Sequence, residues 1–148
     1  KRAIRAANGN RARAARLRDP LKSKQLQKGL QELGEEGAIQ VFENLGTGAL
    51  LLGAVGVLQF EVVAQRLQTE YKVDAIFEPA DIHTARWLTF PDELTRKNFE
   101  REQSHRMAKD VDGNLVYLAS TRYNLDVTRE KWTKVGFHAS REHGQKLE

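Results

Sequence analysis

The chain has 148 residues, 40% of them hydrophobic and 30% charged, with a formal net charge of +4 at neutral pH. That length suits one domain, or two small ones sharing an interface, and it suffices to bury a core. Cysteine is absent, which excludes disulfides, a thiol nucleophile and cysteine-ligated metals and fits a reducing cytoplasm.

Residues 1–15 form a basic, Ala-rich segment with no apolar h-region of the kind a secretory signal needs. No apolar run approaches the roughly 20 residues that span a bilayer, so no membrane partner is expected. Residues 1–28 carry ten basic side chains against Asp19 alone, a local net of +9 that leaves −5 for the rest. A basic stretch beside a mildly acidic body points to an anionic partner, nucleic acid above all. A solvated basic tail would give the same count for the first ten residues.

Arg11 to Arg18 reads as extended. Asp19-Pro20 reads as a helix start, because Asp caps well and Pro at the first helical position loses no hydrogen bond. Leu26, Leu30 and Leu33 follow as one apolar stripe, with Gly34 as the expected stop. Gly29 inside the helix costs about 1 kcal/mol relative to Ala. Lys22, Lys24 and Lys28 sit off the stripe, so they face solvent or a partner. Ala38 to Phe42 and Ala49 to Val55 read as a hairpin across the turn-rich Asn44 to Gly48. Val55, Leu58, Val62 and Leu67 recur at helical spacing, with Glu61, Gln65, Arg66 and Gln68 on the other side. Val73 to Phe77 is a further strand. Residues 11–78 thus spell the strand-helix-strand-strand-helix-strand order of a ferredoxin-like split βαβ unit.

After Glu78-Pro79 a second unit begins. His83 to Phe90 reads as a strand, Pro91-Asp92 opens a charged helix to about Gln103, and Asp112-Gly113 marks a hairpin. Asn124 to Lys134 reads as a short helix and Phe137 to Ser140 as a last strand. The expected class is α/β (α+β), a ferredoxin-like split βαβ unit followed by a second small α/β unit. The expected division is 1–15 basic segment, 16–79 ferredoxin-like unit, 80–146 second unit packed on the first. Leu147-Glu148 resembles a vector scar.

Chemistry is hard to find. Gly46-Thr47-Gly48 lacks the Lys-Ser or Lys-Thr of a phosphate loop and the third glycine of a dinucleotide fingerprint, so it reads as a turn. Of His83, His105, His138 and His143, only the last two are close, and a spacing of five does not put both on one helical face. Glu35 and Glu36 are adjacent and so do not face each other as an acid/base pair. No serine has a nucleophile context. No catalytic, nucleotide-binding or metal residue is therefore expected. Arg86-Trp87 and Arg122-Tyr123 are candidate stacking pairs, should their rings be exposed. Of Trp87, Phe90, Tyr117, Tyr123, Trp132 and Phe137 in the second unit, most are expected in its core.

The run from Asp19 through Lys22, Ser23, Lys24 and Lys28 to Leu30 resembles the segment that opens the third domain of the peptide chain release factor three family. Leu33 to Phe42 continues the likeness. Gly53-Ala54-Val55-Gly56-Val57-Leu58-Gln59-Phe60-Glu61-Val62 is similar to that family's strand-to-helix element, and elongation factor G has a related glycine-rich entry. Thr84 to Trp87 and Phe137-His138 to Arg141-Glu142-His143 match further on, so the resemblance spans about residues 16–143. Ala12, Ala14 and Ala15 stand where it implies a bulky apolar strand.

The resemblance implies the C-terminal part of a cytoplasmic translational GTPase whose G domain and β-barrel domain lie outside this chain. GTP or GDP would bind the G domain, and this chain itself would hold no cofactor and hydrolyse nothing. With GTP, such a factor binds the ribosome and promotes dissociation of the stop-codon-reading release factors. Candidate contacts to ribosomal RNA or a small-subunit protein are Arg16, Arg18, Lys22, Lys24 and Lys28. An independent ferredoxin-like RNA-binding module, stacking bases on sheet aromatics, is the alternative.

Overall fold

A computed structural model describes residues 3–5 and 12–142. The readings of Arg11, His143 and Leu147-Glu148, with most of the basic start, fall outside them. In chain order the elements are β1 (Ala3–Arg5), β2 (Ala12–Leu17), α1 (Ser23–Glu36), β3 (Gln40–Asn44), β4 (Leu50–Gly53), α2 (Leu58–Tyr71) and β5 (Ala75–Pro79). Then come β6 (Thr84–Thr89), α3 (Glu93–Gln103), β7 (Met107–Lys109), β8 (Leu115–Ala119), α4 (Arg122–Lys131), β9 (Gly136–His138) and β10 (Ser140–Glu142). One eight-stranded sheet runs β5-β2-β4-β3-β7-β8-β6-β9, and β1 pairs with β10 apart from it. Its pairings are antiparallel. The order β5-β2-β4-β3 is that of a split βαβ unit, so the expected mixed α/β class is the observed one. The register Glu43↔Lys109 and Asn44↔Ala108 joins β3 to β7.

Local chemistry explains the first helix. Asp19 accepts from Leu21 N at 3.0 Å and caps a single 3-10 turn, Pro20–Lys22, that feeds α1. The stop is Gly37, not Gly34. Gly37 adopts φ +86°, and its N–H donates to Gly34 O. Gly34 is instead kept small by packing, since a Cβ there would lie 2.5 Å from Val111 Cγ1. Gly29 serves helix approach in the same way, with Leu67 Cδ2 2.7 Å from its would-be Cβ. Nothing crowds Gly37, so its backbone alone sets the cost of a side chain. Gly37→Ala is expected to lose about 1 kcal/mol and Gly37→Asn less, read as urea midpoints.

The inward face of α2 keeps Leu67 of the expected stripe and replaces the rest. Phe60 and Val63 join Leu67 in the core, whereas Val55, Leu58 and Val62 are 77%, 69% and 54% exposed. Both stripes have helical spacing, and the sheet selects the one that meets Leu26, Leu30 and Leu33 of α1. Small β2 side chains fit beneath these helices. Ala15 and Leu17 join the core, and the Arg13 guanidinium lies 5.0 Å from the Phe60 ring centroid. Arg66 pins α2 to α1 through Glu36 at 2.5 Å and braces Glu70 at 2.7 Å. Its hydrogen bonds hold both carboxyls below their ordinary range.

In the second half, Asp92 caps α3 through Thr95 N and Thr121 caps α4 through Asn124 N. Alternation along β8 splits two clusters. Tyr117 and Ala119 pack with Leu88, Phe99 and Leu125, while Val116 and Leu118 face Phe42, Ala85 and Trp87. Gly113 takes φ +84° in the expected hairpin turn.

Candidate functional site

The five candidate contacts do not form one patch. Arg16 is on β2, and alternation puts it on the face opposite Ala15 and Leu17, away from α1. Its guanidinium reaches Glu78 Oε1 of β5 at 2.6 Å. Arg18, just past the strand, meets Asp74 Oδ2 at 3.1 Å. These four side chains are largely exposed, so each pair adds at most about 1 kcal/mol. Their geometry serves the β2–β5 edge first. Lys22 is half-buried in the 3-10 turn.

Lys24 and Lys28 are the two that come together. Both are exposed and lie one helical turn apart on α1. They border a groove of about 430 Å³ between α1 and the β3–β7 seam, also lined by Gln27, Gln31, Glu43, Lys109 and Asp110. Gln31 closes one end by donating to Val111 O at 2.8 Å. Lys109 is a third exposed cation here that sequence reasoning did not find. It arrives through the pairing of β7 with β3, strands more than 60 residues apart in the chain. No local pattern announces such a pairing. Three ammonium groups against Glu43 and Asp110 leave the rim net positive, and the groove offers amide donors between them. That arrangement suits phosphates or carboxylates on a partner surface; it holds no nucleophile.

Other candidates resolve by burial. Trp87 is 1% exposed and its Nε1 donates to Asp110 Oδ2 at 3.0 Å, so it cannot take a base. Phe42, on the sheet surface that a base-stacking module would need, is 5% exposed. Tyr123 is 78% exposed, an outer-face residue and not the core residue that its unit's other aromatics are. Gly46-Thr47-Gly48 is the β3–β4 turn, where Asn44 Oδ1 accepts from Gly46 N and Thr47 N at 2.8 and 3.0 Å. His138 Nε2 lies 2.9 Å from Thr89 Oγ1 on the paired strand. Among the described residues no three His, Asp or Glu side chains cluster to hold a metal, and no helix is long and apolar enough to cross a membrane.

Comparison with known proteins places this geometry in a family. Residues 9–129 match the model of "Class II release factor RF3, C-terminal domain". The chain is 81% identical over 134 residues to "Peptide chain release factor 3" of Aromatoleum aromaticum. That match takes in 90% of this chain and 24% of the relative, so the chain spans about a quarter of the curated protein it resembles. The chain belongs to the family of class II release factor C-terminal domains.

Proposed function

We propose that this chain is the ribosome-docking portion of a translation termination factor. GTP binds a G domain outside the chain, and the assembled factor promotes dissociation of stop-codon-reading release factors from the ribosome. Pairing of β3 with β7 puts strands of the 16–79 unit and of the 80–146 unit in one sheet, which supports their moving together. The observation that carries the reading is the exposed Lys24, Lys28 and Lys109 rim, whose charge and amide donors fit ribosomal RNA phosphates or an acidic face of a small-subunit protein. The exposed Val55, Val57, Leu58 and Val62 give the chain a second, apolar surface. Gln59 Oε1 accepts from Val55 N and Gly56 N at 2.6 and 3.0 Å and holds that loop in place. Apolar patches of this kind mark packing surfaces, and the G and β-barrel domains of the longer polypeptide are the occupants that fit it.

The test is co-sedimentation with bacterial ribosomes. Lys24→Glu/Lys28→Glu is expected to lower binding by tenfold or more, while Arg16→Ala/Arg18→Ala changes it less than threefold. Equal binding by the lysine variant and the unmodified chain would contradict the reading.

A further inference from the structure

A second cationic feature lies where α4 packs on β8, the strand paired with β6. Arg86 on β6 stands opposite Tyr117 on β8. The Tyr117 hydroxyl is tied to Asn124 Oδ1 and Thr128 Oγ1 of α4, each at 3.0 Å. That ties α4 over this strand pair, with Arg86 emerging at its flank. Arg122, Asp126 and Arg129 follow one another at helical spacing on α4, in a single stripe.

The charges here are poorly balanced. Arg86 is half-buried, and its guanidinium donates to Thr84 Oγ1 and Ala85 O, both at 2.9 Å and both neutral. Burial first, then the Arg129 and Arg122 charges, lower its pKa. The three guanidiniums therefore share one field. Asp126 offsets part of it, through a 3.4 Å contact to the exposed Arg122. A desolvated cation beside two like charges is unfavourable by itself and becomes favourable when an anion arrives. Guanidinium forks suit phosphate oxygens in particular. Next to Arg122 in sequence, on the adjoining outer face of α4, Tyr123 holds its ring in solvent.

We propose that Arg86, Arg122, Arg129 and Tyr123 form a contact for single-stranded RNA, the guanidiniums taking phosphate and the tyrosine ring taking an unstacked base. An acidic polypeptide fits less well, because its carboxylates could take the guanidiniums but would leave the exposed Tyr123 ring without a planar partner, which an unstacked base supplies. The proposal deepens the docking reading by adding a second contact to the same class of partner, on different elements from Lys24 and Lys28.

The experiment uses the whole chain and a fluorescent single-stranded RNA of about twelve nucleotides, titrated at several salt concentrations. Arg122→Glu/Arg129→Glu is expected to weaken binding tenfold or more and to flatten the salt slope by about 1.4, two phosphate contacts' worth. Tyr123→Ala is expected to weaken binding about tenfold, with Tyr123→Phe restoring it. These are exposed positions, and matching urea midpoints confirm that the variants fold. Unchanged binding by the arginine and Tyr123→Ala variants overturns the proposal, as does no binding by the unmodified chain. Competition by polyglutamate as strong as by unlabelled RNA also overturns it. The two readings fail separately. Loss in Lys24→Glu/Lys28→Glu alone refutes the α4 contact and leaves the α1 face standing. Loss in the α4 variants alone supports the contact and removes RNA as the ligand of the α1 face.

Discussion

Phe99→Ala is expected to destabilise the protein by about 3–5 kcal/mol. Phe99 is 0% exposed and sits at the hub of an aromatic cluster. Its ring centroid lies 5.6 Å from Phe90, 6.0 Å from Tyr117, 5.1 Å from Trp132 and 6.0 Å from Phe137. These tilted and edge-on contacts add to the area that Phe99 buries, and alanine would leave a cavity that four rings cannot all collapse into. Against a total stability of about 5–15 kcal/mol, such a loss is a large fraction. The check is urea unfolding. The midpoint should fall steeply with an unchanged slope, and Phe99→Leu should recover more than half of the loss. An unfolding free energy within about 0.5 kcal/mol of the unmodified protein's would mean the cluster is not a cooperative core.

The second large effect is expected at a polar residue. Asp110 Oδ2 accepts from Trp87 Nε1 at 3.0 Å, and Asp110 Oδ1 accepts from the backbone N–H of Asp112 and of Asn114, both at 2.9 Å. One carboxylate thus closes the β7–β8 turn and satisfies a buried indole on the neighbouring face of the sheet. Asp110→Ala would leave the Trp87 N–H without its acceptor in a site 1% exposed to solvent and would free two turn amides. The expected cost is about 2–4 kcal/mol, a desolvated donor plus a weakened turn. Asp110→Asn keeps an acceptor oxygen and should cost less. Near-ultraviolet circular dichroism of the buried tryptophan gives an independent readout, since its signal should change in the alanine variant before unfolding begins.

The parts of the fold written in local chemistry were legible in the sequence. Asp19-Pro20, Asp92 and Asp112-Gly113 each act within four residues, and each produced the cap or turn expected of it. Parts that depend on distant neighbours were not. The α2 segment carries two apolar stripes at helical spacing that share Leu67, and packing against α1 and the sheet decides that Phe60 and Val63 go inward while Leu58 and Val62 stay out. Gly34 looked like a helix stop because glycine usually is one; its actual constraint is Val111, which lies beyond β7. The same limit governed the site. Lys24 and Lys28 were visible as an off-stripe pair on one helix, but their third partner, Lys109, depends on a strand pairing across the seam. Arg16 and Arg18 looked equivalent to the lysines in charge, and the β2–β5 register then gave them Glu78 and Asp74 as neighbours.

The proposed docking role of the α1 face is read from sedimentation of the unmodified chain with vacant bacterial ribosomes. Binding is expected at low salt and is expected to fall by tenfold or more at about 200 mM salt, as the release of counterions from RNA phosphates requires. A folded chain that fails to sediment at either salt would overturn that role.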